Sequence, residues 1–218
     1  MTLAVMVLLA IGGGSPSLHL AEMTADKCLY GEALRMLDEV PASEQRTPAA
    51  QMLRARLLVQ LERGGEAVAI LTSLPPRTGR EEADRLMLLG LAFSAANDLP
   101  AAEKALRQSQ QLGSENDLVE ASIGMLRIQA RRLPEAEVIL RTVLKRDPLL
   151  SGALYNLACV RALSGDVAEA AALIRMSWHV GLKDPDQLRS DPMLAPVRAR
   201  PGLIDDLIAS PVRHCGTY

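Results

Sequence analysis

Five short windows in this chain repeat one pattern at a nearly constant spacing. They read YGEALRML, GGEAVAIL, LPAAEKAL, LPEAEVIL and VAEAAALI. Their shared alanines are Ala33, Ala67, Ala102, Ala136 and Ala170, separated by 34, 35, 34 and 34 residues. Twelve residues before each alanine stands Ala21, Ala55, Gly90, Gly124 or Ala158, always a small residue. Four residues after each stands Leu37, Leu71, Leu106, Leu140 or Ile174, always large and aliphatic. A period of this length marks a unit that cannot bury its apolar face alone and must stack on its neighbours.

Composition makes the unit helical. Aromatic residues are 2% of the chain while apolar residues are 49%, so the core is built from Leu, Ala, Val, Ile and Met. Runs of β-branched and aromatic residues are scarce, which disfavours strands. Each unit therefore reads as two antiparallel helices joined by a tight turn. Where the helices cross closely only Gly or Ala fits, and the aliphatic residue one turn after the alanine falls on the same face. The segments ERGGEA, ANDLPAA, RRLPEA and LSGDVAEA supply the turns between helices. Pro100 and Pro134 fall where a first helical turn tolerates proline, and Asp166 with Glu169 forms an N-cap and N3 pair.

These features resemble the tetratricopeptide repeat (TPR) family. Gly90 and Phe93 match its Gly-x-x-aromatic pattern, Ala102 and Ala136 its second-helix alanine, and Pro148 in KRDPLL its closing proline. The segment ALYNLACVRALSGDVAEA, residues 153–170, is the nearest single match. The resemblance covers about residues 14–182 and is strongest from residue 83 onward. It departs from the family where units one, two and five carry Ala in place of Gly, and where aliphatic residues replace most of the family's aromatics. It implies an all-α fold, a right-handed superhelical stack of antiparallel helix pairs, with about twelve or more helices and no sheet. Residues 14–182 form the five pairs. Residues 183–218 form a helical cap and tail, since their prolines permit only short helices while Leu188, Leu194, Val197 and Ile204 are apolar residues to be covered. Similar segments follow bacterial TPR arrays.

Several chemistries find no support. With 24 basic and 26 acidic residues the charge is balanced, there is no basic stripe, and aromatics for base stacking are few, so nucleic acid is disfavoured as a partner. The cysteines Cys28, Cys159 and Cys215 are odd in number and widely spaced. They suggest neither a disulfide framework nor a metal pair, and Cys28 and Cys159 read as small apolar residues on helices. The histidines His19, His179 and His214 lack metal-ligand spacing, and no phosphate loop, dinucleotide fingerprint or nucleophile elbow occurs. No catalytic, metal or cofactor-binding residue is assigned, and the chain reads as non-enzymatic. Acidic residues read mostly as solvated helix faces.

What remains is a surface for another protein. In TPR arrays the first helix of each pair lines a concave groove, and the resemblance places Met87, Leu91, Ser94, Ala121, Met125, Ile128, Tyr155 and Cys159 on it. Lys and Asn, which one branch of the family uses to clamp a terminal carboxylate, are absent there. An apolar groove containing methionine suits a helical or extended apolar segment of a partner protein. The expected function is an interaction scaffold or adaptor, with a soluble chaperone for a secreted protein as the alternative. Residues 1–13 hold the apolar run TLAVMVLLAI. It is too short to span a bilayer as a helix. It reads either as an export or membrane-tethering segment or as a helix packed on the first repeat, and the oligomeric state is open.

Overall fold

The computed structural model describes residues 16–113, 117–182 and 184–208. Among them are 14 α-helices and one short 3-10 helix, and no strand. The apolar run at residues 1–13 lies outside the described residues, as do His214 and Cys215. The helices form successive pairs: α1 (Pro16–Ala25) with α2 (Tyr30–Glu39), α4 (Pro48–Gln60) with α5 (Gly64–Ser73), α6 (Gly79–Ala95) with α7 (Leu99–Gln111), α8 (Asp117–Gln129) with α9 (Leu133–Arg146), and α10 (Ser151–Leu163) with α11 (Val167–Val180). The short α3 (Ala42–Gln45) links the first two pairs. Each pair packs on the next, giving a right-handed superhelical stack. No helix among the described residues is long and apolar enough to cross a membrane.

The repeat register explains the packing. All five anchor alanines are fully buried, and the aliphatic residues four positions on, Leu37, Leu71, Leu106, Leu140 and Ile174, are at most 1% exposed. The small residue twelve positions before the alanine faces that aliphatic side chain. A Cβ placed on Gly90 would meet Leu106 Cγ at 2.6 Å, and one on Gly124 would meet Leu140 Cδ2 at 2.9 Å. The small residue thus lets the second helix seat its leucine against the backbone of the first. Burying one such leucine contributes about 1.5–3 kcal/mol.

Every first helix ends in the same way. The residue five positions before each anchor has a left-handed backbone: Cys28 (φ 60°), Glu62 (57°), Asn97 (61°), Arg131 (61°) and Gly165 (89°). The next N–H then reaches back to the carbonyl five residues earlier, as in Arg132 to Arg127 at 2.8 Å and Asp166 to Arg161 at 2.9 Å. This Schellman closure satisfies carbonyls the helix end would otherwise leave open. Two of the second helices start on side-chain caps: Asp98 accepts from the Ala101 N–H at 3.1 Å and Asp166 from the Glu169 N–H at 3.1 Å. Pro100 and Pro134 lie in first turns.

Beyond α11, α12 (Pro185–Ser190), a 3-10 turn (Pro192–Leu194), α13 (Ala195–Arg198) and α14 (Leu203–Ile208) fold back on the last pair. Leu188, Leu194, Val197 and Ile204 join one buried cluster with Tyr155, Trp178 and Leu182. Asp191 holds the turn: one carboxylate oxygen caps the Met193 N–H at 2.8 Å, and the other accepts from the Tyr155 hydroxyl at 2.7 Å.

One sequence expectation is corrected here. Cys28 is not a small apolar residue within a helix. It is disulfide-bonded and occupies the left-handed turn after α1. Wide spacing in sequence does not fix distance in the fold. Cys159, by contrast, is a buried free cysteine on α10.

Candidate partner groove

The first helices α4, α6, α8 and α10 present equivalent positions, offset by 35 residues between α4 and α6 and by 34 thereafter. One row is Met52, Met87, Ala121 and Tyr155. The next is Arg56, Leu91, Met125 and Cys159. In α4 the pattern is clear: Ala50, Leu53, Leu57 and Leu58 are buried against neighbouring helices, while Met52, Arg56 and Val59 share the opposite, half-buried face. Three and four residues apart, they lie on one stripe. Met87, Leu91 and Leu118 continue it on α6 and α8 as half-buried side chains, and so does Met125. At the N-terminal ends of α4 and α6 the stripe opens into a shallow cleft of about 170 Å³ lined by Pro48, Met52, Arg77, Glu81 and Asp84. That volume is below the usual range for a small-molecule pocket and suits one side chain of a larger partner.

A family model described as tetratricopeptide repeat matches residues 122–177. That segment is a tetratricopeptide repeat, and the rest of the stack shares its fold. Two solved structures share the fold. The thermophilic tetratricopeptide protein TTC0263 of Thermus thermophilus is 20% identical with a TM-score of 0.65, over 82% of this chain and 97% of that one. A tetratricopeptide repeat protein of Parabacteroides merdae is 15% identical with a TM-score of 0.57, over 88% of this chain and 81% of that one. At these identities the likeness speaks for the fold alone. No curated protein matches the sequence. Tetratricopeptide repeats are in general interaction modules rather than enzymes, and this chain is a protein–protein interaction scaffold in that general sense.

The tetratricopeptide stack divides the eight residues placed on the groove by sequence into two groups. Met87, Leu91 and Met125 are half-buried on the first-helix stripe. Ser94, Ala121, Ile128, Tyr155 and Cys159 are buried, and for these the groove assignment is corrected. The causes are specific. Ser94 donates to Gln129 Oε1 on the next first helix at 2.9 Å. The Ala121 carbonyl faces Asn156 Nδ2 at 3.5 Å. Neighbouring first helices therefore pack over these positions. Tyr155 and Cys159, 4% and 1% exposed, lie beneath the C-terminal segment, whose Asp191 bonds the tyrosine and lies 3.9 Å from the Cys159 sulfur. Burial, and then the Asp191 charge, push the Cys159 thiol well above its ordinary range. It stays a neutral packed side chain rather than a thiolate nucleophile. Sequence reasoning missed Met52, Arg56 and Val59, which the 35-residue step between Ala67 and Ala102 locates.

It also missed an ion ladder between repeats. Arg127, 9% exposed, grips Glu103 of the preceding second helix with two hydrogen bonds of 2.9 and 2.6 Å. One repeat later Arg161 faces Glu137 at 3.4 Å. The hydrogen bonds from Arg127 hold the Glu103 carboxyl down from an ordinary 4.5 to about 2, and Arg107 adds to the effect. Because the folded value is depressed, this stabilisation is complete above about pH 5 and fades as pH falls toward 2. Glu103→Gln is expected to cost about 1–2 kcal/mol near neutrality, since Arg127 keeps its burial and loses its nearer carboxylate, with only Glu135 left at 3.5 Å. The gap to the wild type should narrow steadily below pH 4.5. Denaturant titrations across pH 7 to 2 check this; a gap independent of pH contradicts the assigned pair.

Proposed function

We propose that the chain is an adaptor that docks an apolar or helical segment of a partner protein along the inner faces of α4, α6 and α8. One observation supports this above all: Met52 and Met87 in one repeat-equivalent row, and Leu91 and Met125 in the next, stay half-buried while residues beside them on the same helices are sealed. A flexible, methionine-containing stripe adapts to the ridge of a helix. The disulfide at Cys28 fits an oxidising compartment, and with the apolar run in residues 1–13 it fits a place in an envelope or secretion assembly.

The test is Leu91→Glu combined with Met125→Glu. Both side chains border solvent, so the double variant should melt within a few degrees of the wild type, at a cost of about 1 kcal/mol or less. Affinity for the partner segment should fall at least about a hundredfold, because the segment would meet unpaired carboxylates in a desolvated groove. A well-folded variant that binds as tightly as wild type would sink the reading.

A further inference from the structure

Arg56 stands apart from the other arginines. Among the described residues, Arg54, Arg77, Arg85, Arg127, Arg161 and Arg198 are the other arginines that are buried or half-buried, and each donates to a carboxylate or a carbonyl. Arg56 is half-buried and donates to nothing among the described residues. It sits on the groove stripe, with Met52 one turn before it and Val59 one turn after. Two acidic residues on neighbouring helices do not pair with it. Glu22, one repeat earlier in the same row, lies 3.8 Å from His19 Nδ1, and Asp84 on α6 forms no ion pair with Arg56. A guanidinium whose stem lies on apolar surface, with five donors and no acceptor, is a fork without a load.

We propose that Arg56 receives an acidic side chain of the docked segment, so that the partner is an apolar helix carrying a glutamate or aspartate within its apolar stripe. The inference rests on the groove reading above and sharpens it. The apolar row takes the ridge of the helix, and Arg56 sets its register by a bidentate, charge-assisted bond at one end of the groove. An apolar row alone lets a helix slide by one turn, since Met52, Leu91 and Met125 offer similar surfaces. One charged contact removes that freedom.

The test uses three helical peptides with blocked ends and an identical Leu/Met stripe, differing only in a central Glu, Gln or Lys. Binding to the full chain is measured by fluorescence anisotropy for wild type, Arg56→Gln and Arg56→Glu. For wild type the Glu peptide should bind about tenfold more tightly than the Gln peptide, with the Lys peptide weakest. In Arg56→Gln the three should converge to within about twofold, and in Arg56→Glu the order should reverse. Equal binding of the three peptides by wild type, or a Glu preference that survives Arg56→Gln, overturns the proposal while leaving the groove in place. If no peptide binds wild type, the groove reading falls and takes this inference with it.

Discussion

A chain ending at Leu182 is expected to aggregate, or to melt well below the full-length protein. The segment beyond that residue contributes Leu188, Leu194, Val197 and Ile204 to the core, each at most 7% exposed. Burial of one such side chain is worth about 1.5–3 kcal/mol, of which the entropy of ordering the short helices cancels a part. The loss is also exposure. Tyr155, Cys159 and Trp178 lie in the same cluster, and an end repeat without a polar outer face presents a contiguous apolar patch. Leu194→Glu in the full chain is the companion variant. It keeps every other residue of the segment and places one unpaired carboxylate where Leu194 is fully buried, which costs several kcal/mol. Thermal melts and size-exclusion chromatography read both. A truncated chain as soluble and stable as the full protein would show that the segment is a passive tail.

The fold was legible because its determinants are periodic. Ala136, Gly124 and Leu140 recur with their counterparts at one spacing, and an array of equivalent contacts is written into the sequence several times over. What escaped was written once, or in residues without a signature. The left-handed turn residues are a clear case. Gly165 and Asn97 suit that conformation, but Cys28, Glu62 and Arg131 do not advertise it, and only the shared register, five residues before each alanine, forces it on them. The ion ladder is another. Arg127 and Arg161 stand at the register of Phe93, so a position read as aromatic in one repeat becomes an arginine in the next two. A charged side chain on a helix reads as solvated until the glutamates opposite, Glu103 and Glu137, are brought to it by stacking.

The groove was legible only in part, for a geometric reason. Its rows differ from core rows by one position on a helix, and a first helix touches its own partner, the preceding pair and the following pair. Met125 and Ile128 are three residues apart, yet one stays half-buried and the other is 2% exposed. Tyr155 and Cys159 stand at groove positions by register and are core by circumstance, because the chain folds its own C-terminal segment over them. No local pattern around residue 155 announces that Asp191 will bond it.

Leu140→Ala is expected to cost about 2–5 kcal/mol, since Leu140 is fully buried and its removal leaves a cavity between α8 and α9. The more searching experiment combines it with Gly124→Ala. Helix propensity favours alanine over glycine at position 124 by about 1 kcal/mol in either background. In the wild type that gain is opposed, because the new Cβ would come within 2.9 Å of Leu140 Cδ2 and 3.0 Å of its Cγ. The side chain must shift, in a core with little room to do so. In Leu140→Ala the obstruction is gone and the methyl group fills part of the cavity. Gly124→Ala should therefore stabilise the Leu140→Ala protein by at least about 1 kcal/mol more than it stabilises the wild type, a coupling within the range seen for residues in direct contact. Denaturant melts of the four proteins close the cycle. Additive effects would mean that the two residues do not touch, and with that the register linking each small residue to the leucine sixteen positions later would fail for the whole array.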